Sequence, residues 1–318
     1  MSGLFQLGQV LRGSAGQCVI TKQLQNTVCL ATNHAQELVV IKSVKGHFRV
    51  TNERDVLRRF NGRSPYIRPL LDEIVEPPEP TTIVLRHLES HLWQASGEKT
   101  LNRKELKYVS RRVLEALQVM HNDGFVHADV KPDNVLVNYR SDDSENRFTD
   151  VQLADMGSSY PEDRKYAREG APIGAAIWRS PEALFKRPWD TKTDIWSFGT
   201  MLISLIYGDY FNIFDPPGVP FKFDDPEYEF EVLKRQVQFF GPFPVKYAEI
   251  ADQDTIEVVM WLMENLVNSR KPFHLLSERE ICKNDKDSIG WFMKLDPRDR
   301  PSADEILAHD WWREPDDS

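Results

Sequence analysis

Cysteine is scarce. The 318 residues hold only Cys18, Cys29 and Cys282, with no C-x-x-C pair and no histidine cluster, which excludes a zinc knuckle or a disulfide framework and suits a reducing compartment. Positive charge is also short: 40 lysines and arginines face 49 aspartates and glutamates, a net charge of −9. No basic stripe is available to neutralise nucleic-acid phosphates, so no nucleic-acid partner is expected. Long apolar runs are missing as well. The longest, Phe198 to Tyr207, falls well short of the roughly 20 residues that span a bilayer, and suits a buried helix. The start, MSGLFQLGQV, lacks a basic region ahead of an apolar core, so no signal peptide is expected. These absences point to an intracellular protein, cytoplasmic or nuclear, without a membrane partner. Its 41% apolar and 28% charged residues are ordinary for a soluble globular chain with a sizeable core.

The chain divides by pattern. QLGQVLR, QCVITKQLQ, ELVVIKSV and TTIVLRHL are rich in β-branched residues and separated by turn formers, so each reads as a strand. Between them, VTNERDVLRRF places Val56, Leu57 and Phe60 among charges, the spacing of a helix laid on a sheet. Beyond this the pattern is helical. Leu106, Val109, Val113, Leu117 and Met120 recur at three or four, behind a capping box of Asn102 and Glu105 and ahead of Gly124 as terminator. DIWSFGTMLISLIYG is apolar on every face, like a central helix. SADEILAHDWW carries a second capping box, Ser302 with Glu305. Pro77 to Pro80 and the acidic run Asp142 to Glu145 are expected as surface loops. The fold class is therefore α+β, a small antiparallel sheet with one main helix followed by a larger helical part.

Chemistry concentrates in a few stretches. HADVKPDN, residues 127–134, follows the first long helix; VVIK ends at Lys42; Glu53 lies in the early helix; DMG begins at Asp155; WRSPE ends at Glu182; DIWSFG begins at Asp194. Alone, a lysine ending a strand is usually a solvated charge, and a loop aspartate is usually structural. Together and in this order, with LRGSAGQC upstream, they resemble the eukaryotic protein kinases, whose template runs from a glycine-rich loop through a strand lysine, a helical glutamate, H-R-D-x-x-x-x-N and D-F-G to A-P-E.

That resemblance implies a two-lobed fold, residues 1–86 forming a β-rich lobe that covers ATP and residues 87–318 a helical lobe carrying the catalytic loop. It implies Asp129 and Lys131 as catalytic residues, the aspartate orienting the attacking hydroxyl and the lysine over the transferring phosphate. Gly13, Gly16, Val40, Lys42, Glu53 and Leu136 would bind ATP, with a hinge at Arg86 to Leu88. Asn134 and Asp155 would hold Mg²⁺ through oxygen ligands. Glu182 would pair with Arg300, Asp194 would tie the central helix to the catalytic loop, and His127 and Met156 would stack internally. Lys131 resembles the serine/threonine class, so a protein hydroxyl on serine or threonine is the expected acceptor, and the protein is expected to be a monomer.

The departures carry information too. Leu11 and Cys18 stand where the loop template has glycine and valine, and Val40 narrows the adenine pocket relative to alanine. Ala128 replaces the arginine that reads an activation-segment phosphate, so regulation by such a phosphate is not expected. Ala175 replaces a threonine that bridges the catalytic aspartate and lysine. Ala128, Arg179 and FGPFP at 240–244 resemble the CMGC group, the SR-protein kinases in particular. Asp215, Asp224, Asp225, Glu227, Glu229 and Glu231 read first as a solvated loop and helix face, the alternative being a docking site for an Arg/Ser-rich or basic protein substrate.

Overall fold

Strand alternation fixes which side chains meet in the first part of the chain. The computed structural model describes residues 4–141, 145–220 and 225–314. Its strands β1 (Val10–Gly13), β2 (Gln17–Gln25), β3 (Val28–Asn33), β4 (Leu38–Ser43), β5 (Leu70–Glu76) and β6 (Thr82–Arg86) form an antiparallel barrel in the order β1-β2-β3-β4-β6-β5. With side chains alternating faces, Leu11, Cys18, Ile20, Cys29, Ala31, Val39, Ile41, Ile74 and Val84 fill the barrel interior. Their neighbours Val40, Ile83 and Leu85 turn the other way and join the main core. Lys42, two positions after Val40, shares that outer face. Val28 pairs with Lys42 and Leu30 with Val40 across the strands.

Helix α1 (Arg49–Phe60) buries Val50, Glu53, Val56, Leu57 and Phe60. One carboxylate thus rides in an otherwise apolar stripe. After β7 (Ser90–His91) and α2 (Leu92–Glu98) comes α3 (Arg103–His121), whose capping box is formed as the spacing predicts: Glu105 N–H donates to Asn102 Oδ1 at 2.9 Å and Asn102 N–H to Glu105 Oε2 at 3.1 Å. Gly124, at φ +71°, lies just beyond its end. Strands β8 (Phe125–Val126), β9 (Val135–Tyr139), β10 (Phe148–Leu153) and β11 (Tyr160–Pro161) frame the polar loop between β8 and β9. Short helices α4 (Lys165–Arg168) and α5 (Pro181–Leu184) precede α6 (Lys192–Tyr207), in which every residue from Thr193 to Leu205 is buried. Helices α7 (Pro226–Phe240), α8 (Gln253–Asn265), α9 (Lys283–Phe292) and α10 (Ala303–Ala308) complete the helical part, α10 with the second capping box.

The expected mixed architecture is present. The Pro77 to Pro80 stretch is largely exposed, as expected, whereas Asp142 and Asp143 of the acidic run lie outside the described residues. Among the described residues no helix is long and apolar enough to cross a membrane.

Candidate active site

Lys42 is the hub of the cleft between the barrel and the helical part. The outer face of β4 directs it at the buried face of α1, where its Nζ lies 2.7 Å from Glu53 Oε2 and 2.9 Å from Asp155 Oδ1. Burial pushes the Glu53 carboxyl up, only partly offset by Lys42. Burial pushes Asp155 in the same direction, but Lys42, with help from Arg49 and His127, overcomes it and holds that carboxyl at about 2. Burial would lower the Lys42 ammonium, yet its two carboxylate neighbours hold it above the usual lysine range. Lys42 and Asp155 therefore face each other as an ion pair in a partly dehydrated site, with the Glu53 carboxyl on the other side of the ammonium.

The polar loop is held from below by α6. Asp194 accepts from the backbone N–H groups of His127 at 2.7 Å and Ala128 at 2.9 Å, and its Oδ2 lies 2.9 Å from His121 Nε2. Ala128 adopts φ +65° and Asp155 φ +61°, a left-handed conformation that is unfavourable for non-glycine residues and persists only where surroundings enforce it. His127 is fully buried beside fully buried Met156 and makes a 3.0 Å hydrogen bond to Ala154 O. Asp129 is anchored by Asn134, whose Nδ2 donates to its backbone oxygen at 2.7 Å and to Oδ2 at 3.0 Å. Lys131 Nζ donates to both Asp129 oxygens at 3.1 and 3.0 Å. Ala154 N–H donates to Asn134 O at 2.8 Å, which sets Asn134 beside Asp155. Six residues expected together, Lys42, Glu53, Asp129, Lys131, Asn134 and Asp155, are thus brought together.

The donor set suits a hard cation. Asn134 spends its amide nitrogen on Asp129, and Asp155 gives only Oδ1 to Lys42, so one oxygen on each is unspent. Among the described residues no cluster of three histidine, cysteine or carboxylate side chains forms a closed metal cage. Magnesium does not need one, since it takes one or two protein oxygens and completes its shell with phosphate and water.

Val40 and Leu136, expected beside the base, lie on different strands. Val40 is on β4, and Leu136 is half-buried on β9 between buried Val135 and Val137, so it faces away from the core those two enter.

Gly13 and Gly16 are not brought to this cluster. Their turn joins β1 to β2, beside the Asn33 end of β3, because Cys18 pairs with Asn33. Lys42 is at the other end of β4, four residues or about 13 Å from Leu38 along the strand. The turn is already filled: Ser14 and Ala15 N–H groups each donate to the Asp72 carboxylate at 3.0 Å. A Cβ on Gly13 would lie 2.0 Å from Asp72 Oδ2, and one on Gly16 2.3 Å from His34 Nδ1. These glycines make room for internal side chains. Leu11 and Cys18, taken as degenerate loop positions, are barrel interior. The turn that does lie against Lys42 joins β2 to β3 through Gln25, Asn26, Thr27 and Val28. Ser43 N–H donates to Thr27 O at 3.0 Å, and the turn contains no glycine.

The segment before α5 completes the site. A cavity of about 440 Å³ is lined by Asp129, Lys131, Gly174, Ala175 and Arg179 among others. Arg300 pairs bidentately with Glu182 at 2.6 and 2.7 Å, as expected. Arg179 is spent internally, donating to the Gly174 carbonyl at 2.9 Å and pairing with Glu229 at 2.5 Å. Most of the acidic group weighed as a docking site has internal partners too, Glu227 being exposed. Asp215 accepts from Tyr228 Oη, Asp225 caps α7, and Glu231 pairs with Lys234; Asp224 lies outside the described residues.

Residues 6–312 match the protein kinase domain family. Serine/threonine-protein kinase PAK 5 of Rattus norvegicus is 33% identical over 119 residues, 37% of this chain and 15% of that protein. PAK 4 of Homo sapiens is 32% identical over 119 residues, covering 37% and 18%, and shk1/pak1 of Schizosaccharomyces pombe is 29% identical over 118, covering 37% and 17%. The matched stretch spans less than a fifth of each of these relatives. They correct the CMGC and SR-protein-kinase likeness, which rested on Ala128, an arginine that the fold uses internally, and the FGPFP stretch. With nearly its whole length inside one family and its relatives among the PAK-type serine/threonine kinases, the chain belongs to the protein kinase domain family.

Proposed function

We propose that the protein is an ATP-dependent protein serine/threonine kinase that works without a phosphate on its activation segment. The observation that carries this reading is the unbroken chain of contacts from Glu53 through Lys42 to Asp155, with Asp129 and Asn134 tied to it through Ala154. Phosphoryl transfer demands little covalent work from the protein, so positioning and charge neutralisation are the task of the site. Lys42, fixed by Glu53, meets the α and β phosphates. Val40 and Leu136 enclose the base, and the lobes divide at Arg86/His87. Asn134 and Asp155 would hold Mg²⁺, which when bound would neutralise charge on the phosphates.

Asp129 is placed to accept a hydrogen bond from the acceptor hydroxyl and to turn its lone pair toward the phosphorus. Lys131, now on both Asp129 oxygens, swings one N–H to the transferring phosphate as that charge builds. Ala128 offers a methyl where a phosphate reader would need a guanidinium. The cavity lined by Asp129, Lys131, Gly174 and Ala175 receives the polypeptide. Labelled ATP with Mg²⁺ and a mixture of peptides tests this: transfer by the wild type that disappears in Asp129→Asn is expected, and equal transfer by both would overturn it.

A second reading, a nucleotide-binding scaffold without transfer, is favoured by one observation. The turn against Lys42 has no glycine, so its backbone cannot close on phosphates as freely as a glycine-rich loop. Nucleotide binding without transfer in the same assay would select it.

A further inference from the structure

The rear of the cleft holds a cation that no sequence motif predicts. Arg68 precedes β5, and its backbone N–H donates to Leu153 O at 2.9 Å, two residues before Asp155. Its side chain runs to the end of β6, where Nε donates to the Arg86 carbonyl at 2.8 Å. Among the described residues no carboxylate pairs with it, and Nε makes its only side-chain hydrogen bond. The guanidinium sits within electrostatic reach of Glu53, Asp155 and His87. Burial lowers its pKa to about 10 against the pull of those two carboxylates, which leaves it protonated at neutral pH. Arg86, by contrast, turns its own side chain to Asp150 at 3.0 Å.

This inference rests on the reading of the cleft as a nucleotide site. With phosphates at Lys42 and Asp155, a base between Val40 and Leu136 extends toward the end of β6. There the Arg86 carbonyl is an acceptor that an amino group on the base edge would use. Arg68 has taken it. A guanidinium has five N–H donors and no acceptor, so the edge facing the base offers donors only. An amino-bearing edge meets donor against donor, whereas a carbonyl-bearing edge finds a charged partner.

We propose that Arg68 determines base selectivity, opposing adenine and admitting a purine with a carbonyl at that edge, as in guanine nucleotides. The wild type is therefore less selective for ATP over GTP than its fold and catalytic residues would suggest. Binding of Mg²⁺ with ATP, GTP or inorganic tripolyphosphate, measured by calorimetry on wild type and Arg68→Met, tests it. ATP affinity is expected to rise on the order of tenfold in Arg68→Met, the worth of one hydrogen bond involving a charged group. GTP should gain nothing and tripolyphosphate should be unchanged. Should Arg68→Met fail to fold, Arg68→Gln restores an acceptor beside the base and carries the same expectation. An ATP to GTP ratio that does not move overturns the inference, and would assign the free N–H groups to the cavity that Arg68 and Arg86 themselves line with Ile67, Pro69 and Gln152. Binding of none of the three by either protein overturns the nucleotide reading, and this inference with it.

Discussion

Replacing Arg300 with alanine removes an almost completely enclosed ion pair of the helical part. The Arg300 side chain is 0% exposed and that of Glu182 2%. Beyond the two bonds to Glu182, the guanidinium donates to the carbonyls of Lys294 at 2.7 Å, Lys192 at 3.0 Å and Leu295 at 3.3 Å, and it lies over the Trp196 ring. Arg300→Ala therefore strands one carboxylate in a dehydrated pocket and removes a donor from three carbonyl oxygens. Breaking a buried pair on one side costs about 3–5 kcal/mol. For a chain of this size each kcal/mol lowers Tm by about 2 °C, so a fall of roughly 8 °C is expected by differential scanning calorimetry. Glu182→Leu combined with Arg300→Met removes both charges and should recover part of the loss, not all, because the three carbonyls still lose the guanidinium donor. An Arg300→Ala protein melting within about 2 °C of wild type would refute the reasoning.

Three other perturbations separate position from chemistry. Glu53→Gln should reduce transfer at least roughly tenfold through loss of the Lys42 anchor, with little thermal cost at pH 8. Burial raises the Glu53 carboxyl above its ordinary 4.5, so the folded state holds that proton more tightly than the unfolded one. Wild-type stability therefore falls as pH rises through the raised value, and the variant, lacking the group, should gain on the wild type over that window in pH-dependent melts. Gly13→Ala should lower Tm by forcing Asp72 out of the β1–β2 turn while leaving the Kd for ATP within about twofold; a selective loss of ATP binding would restore that turn to the phosphates. Ala175→Thr adds a hydroxyl in the cavity beside Asp129 and Lys131. One neutral hydrogen bond, about 1 kcal/mol, should raise kcat about fivefold, and an unchanged kcat would show that the hydroxyl finds neither.

The helical part was largely legible in the sequence because its signals are local. Both capping boxes, the α3 stripe and the all-round apolar α6 reappear at their expected residues. So do the Glu182 to Arg300 and Asp194 contacts, since the resemblance ties each to a short motif. The barrel was less legible. β5 buries only Ile74 and carries Asp72, Glu73 and Glu76, so no period-two pattern marks it. Two glycines three apart imitated a phosphate loop, yet Gly16 lies 26 positions before Lys42, room for β2, β3 and β4 rather than for one hairpin. Counting that interval would have exposed the extra strand. Arg68 gave no signal at all, since a lone cation before a proline describes any surface turn, and only tertiary contacts bring it to the Arg86 carbonyl and near Glu53 and Asp155.

The hold of Asp194 on the catalytic loop has a kinetic side. Amide protons of His127 and Ala128 reach solvent only when the α6 carboxylate lets go, and α6 is buried from Thr193 to Leu205. Such an element opens only with the whole cooperative unit around it. The strained turn at Ala128 therefore cannot relax by itself, and the lifetime of the assembled catalytic loop becomes the lifetime of the helical core itself.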